Sequence, residues 1–240
     1  MKILHFSDSN GFRYRQESGE VISLFPTIKE EFDIVVCSGD FYPNLHWGSN
    51  RKKELVKQEI EYQNKWFISQ LKPFKEFIQN KPFLWSSGNH DWAEPVSILN
   101  QNGIEAYDLD NKVIEFAGLS WAGFPYIPLI NNNWNFEKDS NEMRQEVQKF
   151  LDRLKAANKF DSLDVLVCHC PPNGILDNDE GRGGHLGNSH MANALNYQFT
   201  NRPKLYLCGH VHEQAGKIEM LDEMIVSNAA TTWNIIDLPA

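Results

Sequence analysis

Short apolar runs alternate along the chain with longer segments of helical period. Five of these runs are rich in β-branched and aromatic residues and predict strands at residues 2–7, 33–37, 82–86, 164–168 and 204–208. Each run is followed within three residues by Gly, Pro, Asp or Asn, so a loop begins where each predicted strand ends. Alternation of strands with helical segments predicts mixed α/β layers rather than a helical bundle.

Two segments have the periodicity of amphipathic helices. Residues 49–71 place Val56, Ile60, Phe67 and Leu71 near one face, and Pro73 is the expected stop signal. The Lys and Glu residues of this helix are expected to form a solvated face. Residues 137–156 carry the apolar stripe Met143, Val147, Phe150, Leu151 and Leu154, which indicates core packing.

The remaining chain contains shorter strand-like pieces and two long loops. The pieces are "IEAYDL", "KVIEF" and "LSWAGF" after residue 103, and "KIEML", "MIVSN" and "WNIIDL" near the end. They predict two sheets packed face to face with helices outside, in one domain of residues 1–240. Segments 125–136 and 173–188 are predicted to be long loops, which are usually functional or disordered.

Charge and hydropathy narrow the range of partners. With 23 Lys+Arg against 32 Asp+Glu, the formal charge is -9, which disfavours nonspecific binding of nucleic acid along an extended basic surface. No run approaches the ~18 apolar residues of a membrane span, and the start "MKILHFSDSN" lacks the features of a signal peptide. We therefore expect a cytoplasmic protein with a small-molecule partner and no membrane association.

The four cysteines lie in or beside apolar runs. Cys37, Cys168, Cys170 and Cys208 are therefore expected to be buried free thiols. Cys168 and Cys170 flank His169, so a thiolate metal ligand is the alternative.

Residues that can bind metal ions follow all five predicted strands. These residues are Asp8, Asn10, Asp40, Asn89, His169, His210 and His212. Ligands at the carboxyl ends of strands converge in space even when they are far apart in sequence. Carboxylate, amide and imidazole together favour a first-row dication such as Mn, Fe, Zn or Ni. Seven such residues are too many for one ion, and two ions could share a carboxylate and a water of lowered pKa, an arrangement suited to phosphate ester hydrolysis.

The blocks "SDSNG", "SGDF", "SGNHD", "CHCPP" and "CGHVHE" resemble, in this order, the five signature blocks of the calcineurin-like metallophosphoesterases. The resemblance spans residues 3 to about 213 and implies a four-layer αββα sandwich with a dinuclear metal centre. By motif position it implies two metal sites that share Asp40: Asp8, Asn10, Asp40 and His212 in one, and Asp40, Asn89, His169 and His210 in the other. It also implies that His90 contacts the phosphate and protonates the leaving oxygen.

The sequence is most similar to the small phosphodiesterase branch that includes the metallophosphoesterase-domain brain proteins. It differs from protein Ser/Thr phosphatases, which have Asp-Arg-Gly shortly after the Gly-Asp block, where this chain has "FYPNLHWG". One position departs from the family pattern, because Asn10 stands where His is usual. An amide oxygen is a weaker donor than imidazole for borderline metals. Asp91 could orient either its own loop or His90.

These observations predict a metal-dependent phosphohydrolase. The favoured activity is phosphodiester hydrolysis of cyclic nucleotides or related small molecules through a metal-bridging hydroxide. The alternatives are a noncatalytic scaffold of the same fold, which Asn10 favours, and a nuclease, which would need a basic track. Arg182 and His185 are candidate substrate-binding residues. The aromatic residues Phe124, Tyr126, Trp134 and Phe136 could stack on a substrate or form a separate hydrophobic cluster.

Overall fold

The computed structural model describes residues 1–11, 13–15, 21–23, 25–46 and 53–238. Its strands, in chain order, are β1 (Lys2–Phe6), β2 (Arg13–Arg15), β3 (Val21–Ser23), β4 (Ile34–Cys37), β5 (Phe83–Trp85), β6 (Ala106–Asp108), β7 (Val113–Phe116), β8 (Leu119–Phe124), β9 (Ile127–Pro128), β10 (Glu137–Lys138), β11 (Val165–Cys168), β12 (Asn178–Asp179), β13 (Gly184–His185), β14 (Leu205–Cys208), β15 (Ile218–Leu221), β16 (Met224–Asn228) and β17 (Trp233–Asp237). Its α-helices are α1 (Lys53–Phe77), α2 (Val96–Gln101), α3 (Ser140–Ala156) and α4 (Ser189–Tyr197).

Two large mixed sheets dominate the architecture. The first has the order β17-β1-β4-β5-β6, in which only β17 runs antiparallel to its neighbour. The second has the order β15-β16-β14-β11-β8-β7, in which the two edge strands are antiparallel and the central pairs are parallel. The five strands predicted from the main apolar runs are confirmed to within one residue at each end.

Alternating side chains of the central strands define four layers. In β4, Ile34 and Val36 belong to the core between the sheets, whereas Val35 and Cys37 face the core under α1 and α2. β11 and β14 alternate in the same way between the inter-sheet core and the core under α3 and α4. Alternate side chains of each strand therefore enter different apolar cores, which is why every position in these strands is apolar. The predicted α/β fold of two mixed sheets flanked by helices is confirmed.

The first helix differs from its prediction at its carboxyl end and in its buried face. The predicted start at Ser49 lies outside the described residues, and Pro73 lies inside α1 rather than ending it. Phe74 and Phe77 follow the proline and are buried under the first sheet, which stabilises the additional turn despite the lost hydrogen bond. Ile60 is 37% exposed instead of packed.

The third helix agrees closely with its prediction. Its buried residues are the five of the predicted stripe: Met143, Val147, Phe150, Leu151 and Leu154. Asp139 accepts hydrogen bonds from the N–H groups of Asn141 and Glu142, and the Glu142 carboxylate accepts one from the Asp139 N–H. This capping box places the helix start at Ser140, three residues later than predicted.

The two predicted loops contain short ordered elements. Segment 125–136 contains β9, which pairs with β10, and segment 173–188 contains the β12–β13 hairpin and a 3₁₀ turn at Glu180–Arg182. Within the described residues, no helix combines the length and the apolar character that crossing a bilayer requires.

Candidate metal centre

The seven predicted ligand residues meet where the loops of the two sheets face each other. Asp8, Asn10, Asp40 and Asn89 follow strands of the first sheet, and His169, His210 and His212 follow strands of the second. The Asp8 carboxylate accepts the His210 backbone N–H at 2.9 Å and lies 3.1 Å from His212 Nε2. Asp40 Oδ2 lies 3.2 Å from His169 Nε2. Residues that are far apart in the sequence therefore lie close together in this structure.

The backbone at these loops is held in an unusual conformation. Four of these residues have positive φ angles, in the left-handed region that residues other than glycine rarely adopt. The values are 53° for Asp8, 45° for Asn10, 51° for Asp40 and 66° for His210. Backbone hydrogen bonds from Asp8 to Gly39 and from Asn10 to Asp40 tie the two loops together. Asp, Asn and His adopt this region more readily than other residues, and the contacts between the two loops hold them in it here.

Two glycines allow the loops to approach closely. A Cβ atom at Gly209 would lie 2.1 Å from an Asp8 carboxylate oxygen, and one at Gly88 would lie 2.3 Å from Asp40 Oδ1. Neither position leaves room for a side chain. The glycines of "CGHVHE" and "SGNHD" therefore place the neighbouring ligands against the two aspartates.

Asp40, His169 and His210 form a compact group within the described part of the chain. Their ligand atoms all lie within 4.8 Å of one another, a spacing suited to one metal ion. His169 Nδ1 donates to the Ser38 carbonyl at 2.8 Å, which directs Nε2 toward Asp40. A backbone carbonyl that fixes the orientation of the ring is a regular feature of metal-binding histidines.

Two buried oxygen atoms of the predicted ligand set, Asn10 Oδ1 and Asn89 Oδ1, have no hydrogen-bond partner among the described residues. His169 Nε2 is also buried and faces the Asp40 carboxylate at 3.2 Å. Buried polar atoms are nearly always paired, and leaving one unpaired costs about 1–3 kcal/mol. Bound cations would satisfy both oxygens and could bind the His169 nitrogen, and the mixture of oxygen and nitrogen donors suits first-row dications. The residues present therefore fit a metal centre.

The electrostatics of the site also favour cations. Burial acts to raise the pKa of Asp40, but the positive charges of His169 and His90 outweigh it and hold this pKa below its usual range. Burial acts to lower the pKa of His169, but the Asp40 and Asp8 carboxylates raise it to about 10. A metal ion at His169 Nε2 would replace the proton that these carboxylates hold there.

His210 differs from His169 in its charge state. Burial, reinforced by the positive charge of His169, lowers the pKa of His210 to about 3. The ring is therefore neutral at physiological pH, which is the form that binds metals.

His90 lies at the edge of this cluster and is oriented by several contacts. Its backbone N–H donates to Asp40 Oδ1 at 2.7 Å, and its Nε2 lies 3.8 Å from Asp40 Oδ2. Its Nδ1 faces Asn44 Oδ1, while Asn44 Nδ2 donates to the His90 carbonyl. The second contact sets the orientation of the amide, so Nδ1 is the donor and Nε2 faces the site.

Asp91 orients the loop rather than the His90 ring. Its carboxylate accepts the backbone N–H groups of Phe41, Tyr42 and Gly88 at 2.9, 3.0 and 2.8 Å. These bonds join the loop that carries Asp40 to the loop that carries Asn89. Of the two roles left open by the sequence, the structure supports the first.

Two polar residues of α1 support the same loops and were missed by the sequence reasoning. Gln63 is buried, donates to the His90 carbonyl at 2.8 Å and accepts from the N–H groups of Trp92 and Ala93. Glu59 is also buried and accepts the N–H groups of residues 45 and 46, so it does not belong to the predicted solvated face. Glu59, Gln63 and the buried Phe67 are spaced by four residues and lie on one face of the helix, and this spacing could have predicted that the two polar residues are buried.

Arg182 and His185 lie beside the cluster and pair with carboxylates of their own segment. Both line a cavity of about 260 Å³ that His210 also lines. The Arg182 Nε atom is 3.4 Å from the Asp179 carboxylate, and His185 Nδ1 is 2.7 Å from Asp177 Oδ1. The structure thus brings the two candidate substrate residues together at the edge of the site.

The aromatic residues of segment 125–136 divide between the two predicted roles. Phe124 and Tyr126 pack on each other in the core under α3, and Phe136 packs on Tyr126, which is the hydrophobic-cluster alternative. Trp134 instead lies against the His90 ring, with centroids 4.1 Å apart.

The cysteines agree with the prediction of buried free thiols rather than with that of a thiolate metal ligand. All four are buried free thiols, and Cys168 and Cys208 point into the core under α3 and α4. Burial raises the pKa of Cys168 to about 12, so it stays a neutral thiol. His5 is a buried strand residue, held between the hydroxyls of Ser227 and Ser38 at 3.0 and 2.9 Å.

Comparison with known proteins adds four findings. The sequence model of the family described as calcineurin-like phosphoesterase matches residues 1–214. Among solved structures, TT1561 of Thermus thermophilus is similar over 95% of this chain and 88% of its own, with a TM-score of 0.54 and 14% identity, a likeness that shows the fold. The sulfate thiohydrolase SoxB of Thermus thermophilus matches 82% of this chain and 33% of its own, with a TM-score of 0.39 and 13% identity. None of the curated proteins matches the chain.

Proposed function

The chain belongs to the calcineurin-like phosphoesterases, and we propose that it is a metal-dependent phosphodiesterase that acts on small-molecule diesters. The observation that carries this proposal is the pair of buried ligand oxygens without protein partners among the described residues, beside a histidine whose Nε2 faces the same space. A noncatalytic scaffold would have no need of either feature. The formal charge of -9 supports small substrates over polynucleotides.

Two groups of residues would hold the metal ions. Asp40, Asn89, His169 and His210 would form one site, and Asp8, Asn10, Asp40 and His212 the other. When bound, the ions would lower the pKa of a bound water molecule and neutralise charge on the phosphoryl oxygens. The ordinary candidates are Mn, Fe, Zn and Ni.

His90 would supply the proton for the leaving oxygen. Its Nδ1 proton is engaged by Asn44, so the transferred proton is carried on Nε2, where the Asp40 carboxylate stabilises the imidazolium. Gln63 and Asn44 hold the His90 backbone carbonyl, and Trp134 covers one face of the ring. These contacts limit ring rotation and access of water, which favours transfer to the substrate.

A reconstitution experiment tests the proposal. Metal-free protein is loaded separately with Mn, Fe, Zn or Ni, its metal content is measured, and it is assayed with aryl phosphodiesters and matched aryl phosphomonoesters. We expect hydrolysis that depends on metal and prefers diesters. Absence of activity with every metal at two ions per chain would favour the scaffold function, and a preference for monoesters would contradict the diester assignment.

A further inference from the structure

A cavity opens beside His210 and is lined mostly by apolar groups. Its volume is about 260 Å³, and its lining residues are Pro128, Leu129, Ile130, Arg182, His185, Leu186, Gly187 and His210. Leu129 and Ile130 are 49% and 48% exposed, although both are large aliphatic side chains. Two adjacent exposed aliphatic residues at the edge of a polar site are suited to cover an apolar part of a ligand.

One wall of the cavity is held in place by a buried carboxylate. Glu137 is buried and accepts the backbone N–H groups of Ile130 and Asn131 at 2.8 and 2.9 Å. The Leu129 N–H donates to the Lys138 carbonyl at 2.9 Å, which continues the pairing of β9 with β10. The exposed aliphatic pair is therefore presented on an ordered segment.

A second wall, formed by residues 185–187, has the same construction. Asp177 is buried, and its carboxylate accepts the Gly187 N–H at 3.1 Å and lies 2.7 Å from His185 Nδ1. The Asp177 carbonyl accepts the Leu186 N–H at 2.9 Å. Both walls are thus preformed, which lowers the entropic cost of binding a ligand between them.

The position of the cavity distinguishes between the two ends of a diester. His90 and Trp134 do not line it, whereas His210 does. If His90 protonates the leaving oxygen, the leaving group lies beside His90 and Trp134, and the cavity beside His210 receives the other substituent. We infer that this cavity binds an apolar aryl or short alkyl group that stays on phosphorus, so the substrates are phosphodiesters with one such ester group.

This inference rests on the proposed function, and its chemistry balances as a hydrolysis. The oxygen of water forms a new P–O bond and one of its protons is released to solvent, while the P–O bond to the leaving group breaks and the leaving oxygen receives a proton from His90. His90 then regains a proton from solvent, so the net reaction consumes one water molecule. The ester bond to the retained group is unchanged, and the product is the monoester of that group. A cavity of about 260 Å³ lies just below the range of about 300–1,000 Å³ for ligand pockets, which suits one ring-sized substituent.

A pair of substrates with the same leaving group tests the inference. Protein loaded with Mn is assayed with bis(p-nitrophenyl) phosphate, which retains an aryl group, and with methyl p-nitrophenyl phosphate, which retains a methyl group. Bis(p-nitrophenyl) phosphate has two equivalent leaving groups, and its KM is corrected for this factor of two. We then expect its KM to be about tenfold lower than that of methyl p-nitrophenyl phosphate, a difference typical of apolar subsites. Leu129→Ser and Ile130→Ser should each reduce this ratio. Met220→Ser, at another exposed aliphatic position on β15, is the matched control and should leave the ratio unchanged.

A binding measurement separates failure of this inference from failure of the proposed function. Calorimetric titration of the same Mn-loaded proteins with phenylphosphonate and methylphosphonate requires no turnover. Tighter binding of the phenyl compound, lost in Leu129→Ser and Ile130→Ser, would support the cavity even if no diester were hydrolysed. Equal affinity for the two phosphonates in the unmodified protein, or a KM ratio unaffected by both substitutions in an active enzyme, would overturn it.

Discussion

The indole ring of Trp134 lies against the imidazole ring of His90, with centroids 4.1 Å apart and planes inclined by 36°. The Trp134 backbone N–H donates to Glu137 Oε2 at 2.9 Å. Glu137 therefore holds both the aliphatic wall of the cavity and the residue that covers His90. One loop thus contacts both ends of the proposed substrate site.

Replacing Trp134 tests the role of this ring contact. Trp134→Ala is expected to lower kcat about tenfold for diesters with poor leaving groups, because a less constrained His90 spends less time in the transfer geometry. Trp134→Phe should retain most of the activity. Steady-state kinetics with alkyl and aryl leaving groups measure the effect, and Trp233→Ala on β17 is the matched control. An unchanged kcat in Trp134→Ala would show that the contact has no part in catalysis.

Removal of His90 tests the proton transfer. His90→Ala is expected to lower turnover by ~10²–10⁴, the usual range for loss of a general acid, with no change in metal content. The loss should be smaller for nitrophenolate, which leaves without protonation. Turnover with a series of leaving groups and elemental analysis of the same samples provide the measurements. An equal loss across the series would indicate that His90 positions the phosphate instead.

Asn10 is expected to weaken the metal site that contains Asp8 and His212. Its amide oxygen is a poorer donor than imidazole for Zn and Fe, so the purified protein should retain fewer than two ions per chain. Asn10→His should raise metal retention through gel filtration and reduce the activity gained from added Mn. Asn141→His, at an exposed position at the start of α3, controls for metal binding by a new surface imidazole. Two tight, equivalent sites in the unmodified protein would contradict this prediction.

His5 is expected to make stability depend on pH. Burial lowers its pKa to about 3, against an opposing effect of the Asp8 charge, whereas the unfolded chain titrates near 6.5. Between these values the unfolded state binds a proton that the folded state does not, so stability falls as pH falls. At pH 4.5 the loss from this residue is about 2–3 kcal/mol relative to pH 7.

Urea unfolding of metal-free protein at pH 7 and pH 4.5 measures this dependence. His5→Gln cannot take up a proton, so its free energy of unfolding should change less between the two pH values. Comparing the two changes removes the contribution of the carboxylates that both proteins share. The same pH dependence in both proteins would exclude His5 as its source.

Much of the framework followed from the amino-acid order alone. The five main strands and the apolar stripe of α3 were predicted, because each is a local pattern with its own period, and the candidate ligand residues follow the ends of those strands. The family resemblance of the five blocks was confirmed by the match over residues 1–214.

Contacts between distant segments were decided only by the tertiary structure. Local periodicity assigned Glu59 to a solvated face, yet the chain folds back so that this carboxylate accepts two backbone N–H groups. Pro73 does not end α1, because the burial of Phe74 and Phe77 outweighs the local preference. The contact of Trp134 with His90 and the cavity beside His210 join segments that lie apart in the sequence. The pattern of apolar residues in a segment predicts which of its residues are buried. The segments that it contacts depend on how the sheets and helices pack, which the local pattern does not determine.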